Sequence, residues 1–342
     1  MTVLRGLAVC ILAAAGVAAA LSGTTAQAPA VAEQPTKIEI RAKPIEAFDP
    51  REPSRRDFGS LQFRGGLELS SSHKQFGGLS AIRVSANGAN FLAVTDKAYW
   101  LRGRIVYRGD NPSGIADAEI APMLYSDGPP ITARGWYDTE AFAEDGGFTY
   151  VAIERVHRML RFDTGKRGLL ARGSLVAVPP EMAKLPSNKG IECLIAAPKG
   201  SPMAGALIAI SERGLDEEKN ISGFLIGGPK PGRFAVKPSD DFDVVDCALT
   251  PNAEVLILER HFSWRRGVAM RIRRVSLSDI VPGALLEGSI LISADMGFQI
   301  DNMEGLSVHR AANGEVVLTL VSDDNFSIIQ RTVLLQFTML DR

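Results

Sequence analysis

Histidine and cysteine are scarce in this 342-residue chain, which has four histidines and three cysteines, Cys10, Cys193 and Cys247. A zinc centre built on soft donors therefore has little to draw on, and a metal site would have to be assembled from oxygen ligands. The spacing Gly-x-Ser-x-Gly is absent, since Gly78-Leu79-Ser80-Ala81-Ile82 lacks its second glycine, so a serine nucleophile on a strand-to-helix elbow is not supported. There is no His-Glu-x-x-His, no phosphate-cradling glycine loop and no His-Cys nucleophile loop. Arg260-His261-Phe262 lacks the glycine that a histidine nucleophile for phosphate would bring with it. Net charge is −1, with Lys+Arg 38 against Asp+Glu 39, and gives no basis for a nucleic-acid partner.

A long apolar run occurs only at the start. Arg5, the Ala-rich stretch 7–21 and Ala26-Gln27-Ala28 fit an export signal over 1–28, and the run is too short and too rich in alanine for a membrane span. The expectation is an exported protein, periplasmic or secreted, with no stable membrane insertion after cleavage. Residues 29–59 carry Pro29, Pro35, Pro44, Pro50 and Pro53 and read as a linker or partly extended tail. Residues 60–342 are expected to be one domain, and a monomer. Cys193 and Cys247 each follow an acid, Glu192 and Asp246, so they are either a disulfide between neighbouring strands or two small buried thiols.

What the chain has in abundance is β-hairpins. Asn313-Gly314 lies between apolar, β-prone flanks, and Glu304 and Asp323 stand equidistant from its midpoint, which predicts that they face one another across the ladder. The layout recurs about Asn87-Gly88, Gly146-Gly147, the loop around Gly200 and Asn252-Ala253. The second strands end in Asp96, Glu154, Glu212, Glu259 and Asp323, at intervals of roughly fifty to sixty residues. A repeat of that length built from antiparallel strands is what a β-propeller blade requires, because each sheet hides its faces only against the next. Five hairpins are visible. The run 328–339, pairing with the region 60–69, is expected to close the ring as a sixth blade and so remove exposed edges.

In this all-β fold the acids gather at one face. Like charges set opposite one another destabilise a sheet unless a cation offsets them. Asp96, Glu140, Glu154, Glu192, Glu212, Glu304 and Asp323, with the amide of Asn302, are therefore candidate ligands for a divalent ion, calcium before magnesium. The first strands begin at Glu140, Glu192, Asp246 and Glu304. Asn188 and Asn325 supply further amide oxygens. Lys97, Arg155, Arg213 and Arg260 each follow a strand-end acid, either to bind an anionic substrate or to pair with a neighbouring blade. Glu192 and Glu304 are the candidate catalytic carboxylates, and His261, beside Arg260, is a candidate acid or base.

These pieces form a set. Gly78-Leu79-Ser80 with Thr95-Asp96-Lys97, Asp138-Thr139-Glu140 with Ile153-Glu154, Asn188-Lys189-Gly190-Ile191-Glu192 with Ser211-Glu212, Leu258-Glu259-Arg260-His261-Phe262, and Asn302-Met303-Glu304-Gly305-Leu306 with Ser322-Asp323-Asp324-Asn325-Phe326 together resemble the phytase-like family, known by its "esterase-like activity of phytase". The resemblance spans about 76–330. It implies a propeller and hydrolysis of phosphate or carboxylic esters, with a small-molecule ester or phosphoester as substrate. The chain departs from symmetry at Ser80 and Asp246-Cys247, where the other hairpins carry Glu. Two other readings stand beside the hydrolase: a non-catalytic periplasmic propeller that binds a ligand or protein, and a metal-dependent, lactonase-like propeller.

Overall fold

The computed structural model describes residues 34–265 and 267–340. The export signal expected over 1–28 lies outside them.

Five antiparallel sheets stand around one axis. Their innermost strands are Leu79–Val84, Thr139–Asp145, Ile191–Ala196, Asp243–Leu249 and Met303–Arg310, and they head the first to fifth blades in that order. Each inner strand packs against the next, and Met303–Arg310 returns to Leu79–Val84, so the ring is closed. Every inner strand is paired to the second strand of its own hairpin, as the turn chemistry predicts.

The blade count is five, not six. Thr332–Met339 joins Val316–Ser322 as the third strand of the fifth blade, and Leu61–Ser70 joins Thr332–Met339 as its fourth. The two regions expected to pair do pair. They complete a sheet whose hairpin is already in place, so the closure uses up the strands that a sixth blade would need.

The Pro-rich segment, where described, belongs to the ring. Arg41–Ile45 pairs with Leu61–Ser70, and Thr36–Lys37 with Asn111–Pro122 at the edge of the first blade. Phe48 is fully buried against Phe58, Phe63, Phe298 and Phe337. These rings cover the junction of the fourth and fifth blades.

Five apolar clusters account for the fold, one at each junction between blades. Trp100 and Phe162 meet between the first and second blades, Met159 and Leu194 between the second and third, and Ile210 and Val255 between the third and fourth. Leu256 and Leu318 meet between the fourth and fifth, and Leu334 and Leu101 close the circle. Burying both faces explains why the strands read as nearly continuous apolar runs, at about 25 cal/mol per Å² of apolar surface removed from water. Cys193 and Cys247 are disulfide-bonded, joining the inner strands of the third and fourth blades across a separation of 54 residues. Closing a loop of that length restricts the unfolded chain by about 4 kcal/mol in the chain-entropy description.

Candidate functional site

One defect recurs in all five inner hairpins and builds the site. The register slips by one residue between Leu79 and Ala81, Thr139 and Ala141, Ile191 and Cys193, Val244 and Asp246, and Met303 and Gly305. The extra residue at each bulge is Ser80, Glu140, Glu192, Val245 and Glu304. A bulge leaves its residue out of the ladder and re-aims its side chain, and the three glutamates turn into the mouth of the axis.

The bulges correct the predicted register. Glu304 does not face Asp323, because Met303 pairs with Ser322 and Gly305 with Val321. Asp323 instead follows the last ladder pair, its amide donating to the Asn302 carbonyl, as Asp96 donates to Gly78, Glu154 to Asp138 and Glu212 to Gly190. In the fourth blade the corresponding pair is Asp243 with Arg260. Two acids expected at this face are thereby displaced. Glu259 points the other way, fully buried against Arg271 and Arg273. Asp246 lies one step past the bulge and deeper in the ring.

The result is a pocket of about 280 Å³ lined by Asp96, Asp138, Glu140, Glu154, Glu192, Glu212, Glu304 and Asp323, with Asn188, Asn325 and Arg260. Glycine makes the room where acids crowd. A Cβ on Gly78 would sit 2.3 Å from Asp96 Oδ1, and one on Gly190 would sit 2.5 Å from Glu154 Cγ. The Gly190 amide donates to Glu154 Oε1 at 3.0 Å. Asp138, Asn188 and Asn325 hold left-handed backbone, with φ of 58°, 57° and 48°, a region that Asp and Asn tolerate better than other residues with side chains.

Among the described residues Arg260 is the one cation lining the pocket, and it bridges blades. Its guanidinium is 2.9 Å from Glu304 Oε1 in the fifth blade and 3.5 Å from Glu212 Oε1 in the third, and it donates to Asn302 Oδ1 at 2.6 Å. Asn302 in turn donates to Glu304 Oε1 at 2.9 Å and does not line the pocket itself. Lys189 approaches Glu212 at 2.7 Å from outside. Glu192 is 7% exposed and makes no hydrogen bond or ion pair among the described residues, although the charge of Arg260 reaches it. Glu154, Glu192 and Glu212 each place a carboxylate oxygen within 4.8 Å of the other two.

Crowding and burial hold these acids in their protonated form well above the usual range. Burial, then the charge of Asp323, pushes Asp96 up to about 7. Burial likewise raises Asp323 to about 6, and Glu304 to about 8 in spite of Arg260. Glu140 is raised by burial and by Glu304, Glu192 by burial and by Glu140, and Glu154 and Glu212 chiefly by burial.

The other expected substrate-binding residues lie around this mouth rather than in it. Arg155 pairs with Asp138 and Tyr137, Arg213 pairs with Asp243 of the next blade, and the Lys97 ammonium sits over the Phe326 ring, 2.8 Å from its centroid. His261 lies outside the acidic pocket, its Nδ1 3.1 Å from the Asp241 carbonyl oxygen.

Beneath the acids is a residue that the sequence reading missed. Arg83 of the first blade makes a two-pronged contact with Asp246 of the fourth, at 2.9 and 3.0 Å. It also donates to the carbonyls of Ile82, Leu194 and Leu306, each two residues beyond a bulge, and lies over the Phe142 ring of the second blade. One side chain thus touches all five blades. An arginine and an aspartate in the middle of mostly apolar inner strands were the available signal.

A closed ring of five blades, each a sheet of four to six strands, with an acid-lined axial mouth defines a β-propeller with a polar site at its hub. The chain belongs to the Phytase-like family, described as "Esterase-like activity of phytase", whose pattern matches residues 74–326, a span that takes in all five inner hairpins. Solved structures similar to it include an endo-arabinase from Bacteroides thetaiotaomicron, with 11% identity over 76% of this chain and 94% of that one and a TM-score of 0.43. An α-L-arabinofuranosidase from Podospora anserina gives 9% identity, coverage of 82% and 97%, and a TM-score of 0.44. A glutaminyl cyclase from Myxococcus xanthus gives 9%, 77% and 97%, and 0.39. No curated protein matches the sequence. Among the described residues no helix is long and apolar enough to cross a membrane.

Proposed function

We propose that this propeller is an exported, calcium-dependent hydrolase of phosphate or carboxylic esters acting at the axial pocket. The observation that carries the reading is the convergence of Glu154, Glu192 and Glu212 from adjoining blades, with Glu192 making no hydrogen bond or ion pair among the described residues. Buried carboxylates held this close need protons or a cation, and a pocket without Cys or His offers the hard oxygen donors that calcium takes. Glu154, Glu192 and Glu212 would hold the ion, with Glu140 and Asp323 within the same pocket. When bound, the ion supplies Lewis-acid polarisation of an ester oxygen and a more acidic water.

The remaining groups have roles that follow from their surroundings. Arg260, with Lys189 and Arg213 behind it, orients an anionic group at the mouth. Glu304 Oε1 accepts from Arg260 and Asn302, leaving Oε2 to carry the proton that a leaving oxygen requires. Asp323, ionised above about 6, is placed to accept a proton from water. The Cys193–Cys247 disulfide is in keeping with an oxidising compartment outside the cytosol.

Turnover of aryl phosphates and acyl esters should require calcium, and Glu192→Gln should lower kcat/KM by about a hundredfold or more. Calcium-dependent hydrolysis that survives Glu192→Gln combined with Glu304→Gln would remove these assignments. Calcium binding with no turnover of either ester class would leave a ligand-binding propeller.

A further inference from the structure

Beside the acidic pocket runs a larger groove of about 950 Å³. The two share Glu212, Arg260 and Asn325 and so adjoin along one wall. The outer part of the groove gathers four exposed apolar side chains. Phe262 and Trp264, at the turn between the second and third strands of the fourth blade, are 54% and 95% exposed, with ring centroids 5.6 Å apart. Met296 and Ile329, 60% and 87% exposed, line the same groove from the segments that follow the fourth blade and the fifth blade's second strand. Exposed apolar side chains gathered in one concavity mark a binding surface, whereas scattered ones need no explanation.

We propose that this groove is the subsite for an aromatic or bulky apolar arm of the substrate, so that the protein selects amphiphilic esters rather than compact, wholly polar ones. The inference rests on the reading of the axial pocket as the place where the substrate's polar head is held. The occupant follows from the shared wall of the two cavities. A ligand whose anionic head meets Arg260 at that wall can extend along the adjoining groove to Phe262, Trp264, Met296 and Ile329. An anionic membrane surface fits poorly, because the inner wall of the groove carries Asp241, Asp243 and Asp301 as well as the cations.

The test uses non-hydrolysable heads. Benzylphosphonate and methylphosphonate are titrated into the full chain, with and without calcium, and followed calorimetrically and by tryptophan fluorescence. Trp264 is the exposed reporter, since Trp100 is buried and Trp136 half-buried between the first and second blades, away from the groove. Benzylphosphonate should bind about tenfold or more tighter than methylphosphonate. Phe262→Ser combined with Ile329→Ser should bring the ratio towards one. Equal affinities, no binding of either compound, or a ratio untouched by the double variant would overturn the subsite. So would uptake of the chain by anionic phospholipid vesicles that depends on the same two residues. Calcium affinity, measured in the same samples, tests the axial reading separately. An aryl preference that persists without calcium keeps the groove and discards the metal.

Discussion

Arg83→Met should lower the unfolding free energy by roughly 3–5 kcal/mol and the Tm by on the order of 10 °C. Asp246 is fully buried, and it accepts the two Arg83 bonds and the amides of Cys247 and Leu306, at 2.7 Å each. Burial pushes the Asp246 carboxyl up, and Arg83 is the largest influence pulling it back. Without the guanidinium, a buried carboxylate loses its counter-charge and three carbonyls from three blades lose their donor. Methionine keeps much of the volume, so the loss reports charge and hydrogen bonding rather than a cavity. Arg83→Met combined with Asp246→Leu should recover part of the stability, because removing both partners of a buried pair costs less than removing one. Chemical denaturation of the three variants decides the matter. A single variant as stable as the wild type would show that the hub is not held by this pair.

The metal-free protein should become less stable as pH rises from about 6.5 to about 8.5, and calcium should reverse that slope. Asp96 and Glu304 have folded pKa values of about 7 and about 8, raised above the ordinary 3.8 and 4.5. The folded chain therefore keeps protons that the unfolded chain has released. Their contribution is fully present below about 4 and is lost as pH climbs through about 8. Each retained proton costs about 1.4 kcal/mol per pH unit across its window. His309 works in the opposite direction, since burial lowers it from 6.5 to about 4, but its titration is complete by about 6.5. Calcium requires the ionised carboxylates, so the Tm increase it brings should be larger at pH 8 than at pH 6. Thermal unfolding with EDTA or with calcium, at several pH values, measures both slopes. A calcium increment that is the same at pH 6 and pH 8 would count against the protonated carboxylates of this pocket as its ligands.

Much of this fold was legible because turn chemistry is local. Asn87-Gly88, Gly146-Gly147 and Asn313-Gly314 each specify where a chain reverses, and all three hairpins form. The number of blades was not legible. It depends on which sheet Leu61–Ser70 and Thr332–Met339 join, and two strands from opposite ends of a chain carry no local mark of their shared partner. Symmetry about a turn also assumes an unbroken ladder. One bulge per hairpin leaves Glu140, Glu192 and Glu304 at the pocket, but in the fourth blade it moves the axial positions to Val245 and Arg260 and away from Asp246 and Glu259. His261 was drawn in by its neighbour Arg260, yet adjacent residues in a strand point to opposite faces. Asp138, Asn188 and Asn325 reach the pocket through left-handed turns that follow no strand period.

The central claim is that carboxylates from separate blades form one cation site. Calcium titrated by calorimetry into metal-free protein at pH 8, and into the variant carrying Glu154→Gln, Glu192→Gln and Glu212→Gln, tests it most directly. Saturable binding by the wild type, lost in a folded triple variant, is the expected result. Binding of equal affinity and stoichiometry in both proteins would contradict it.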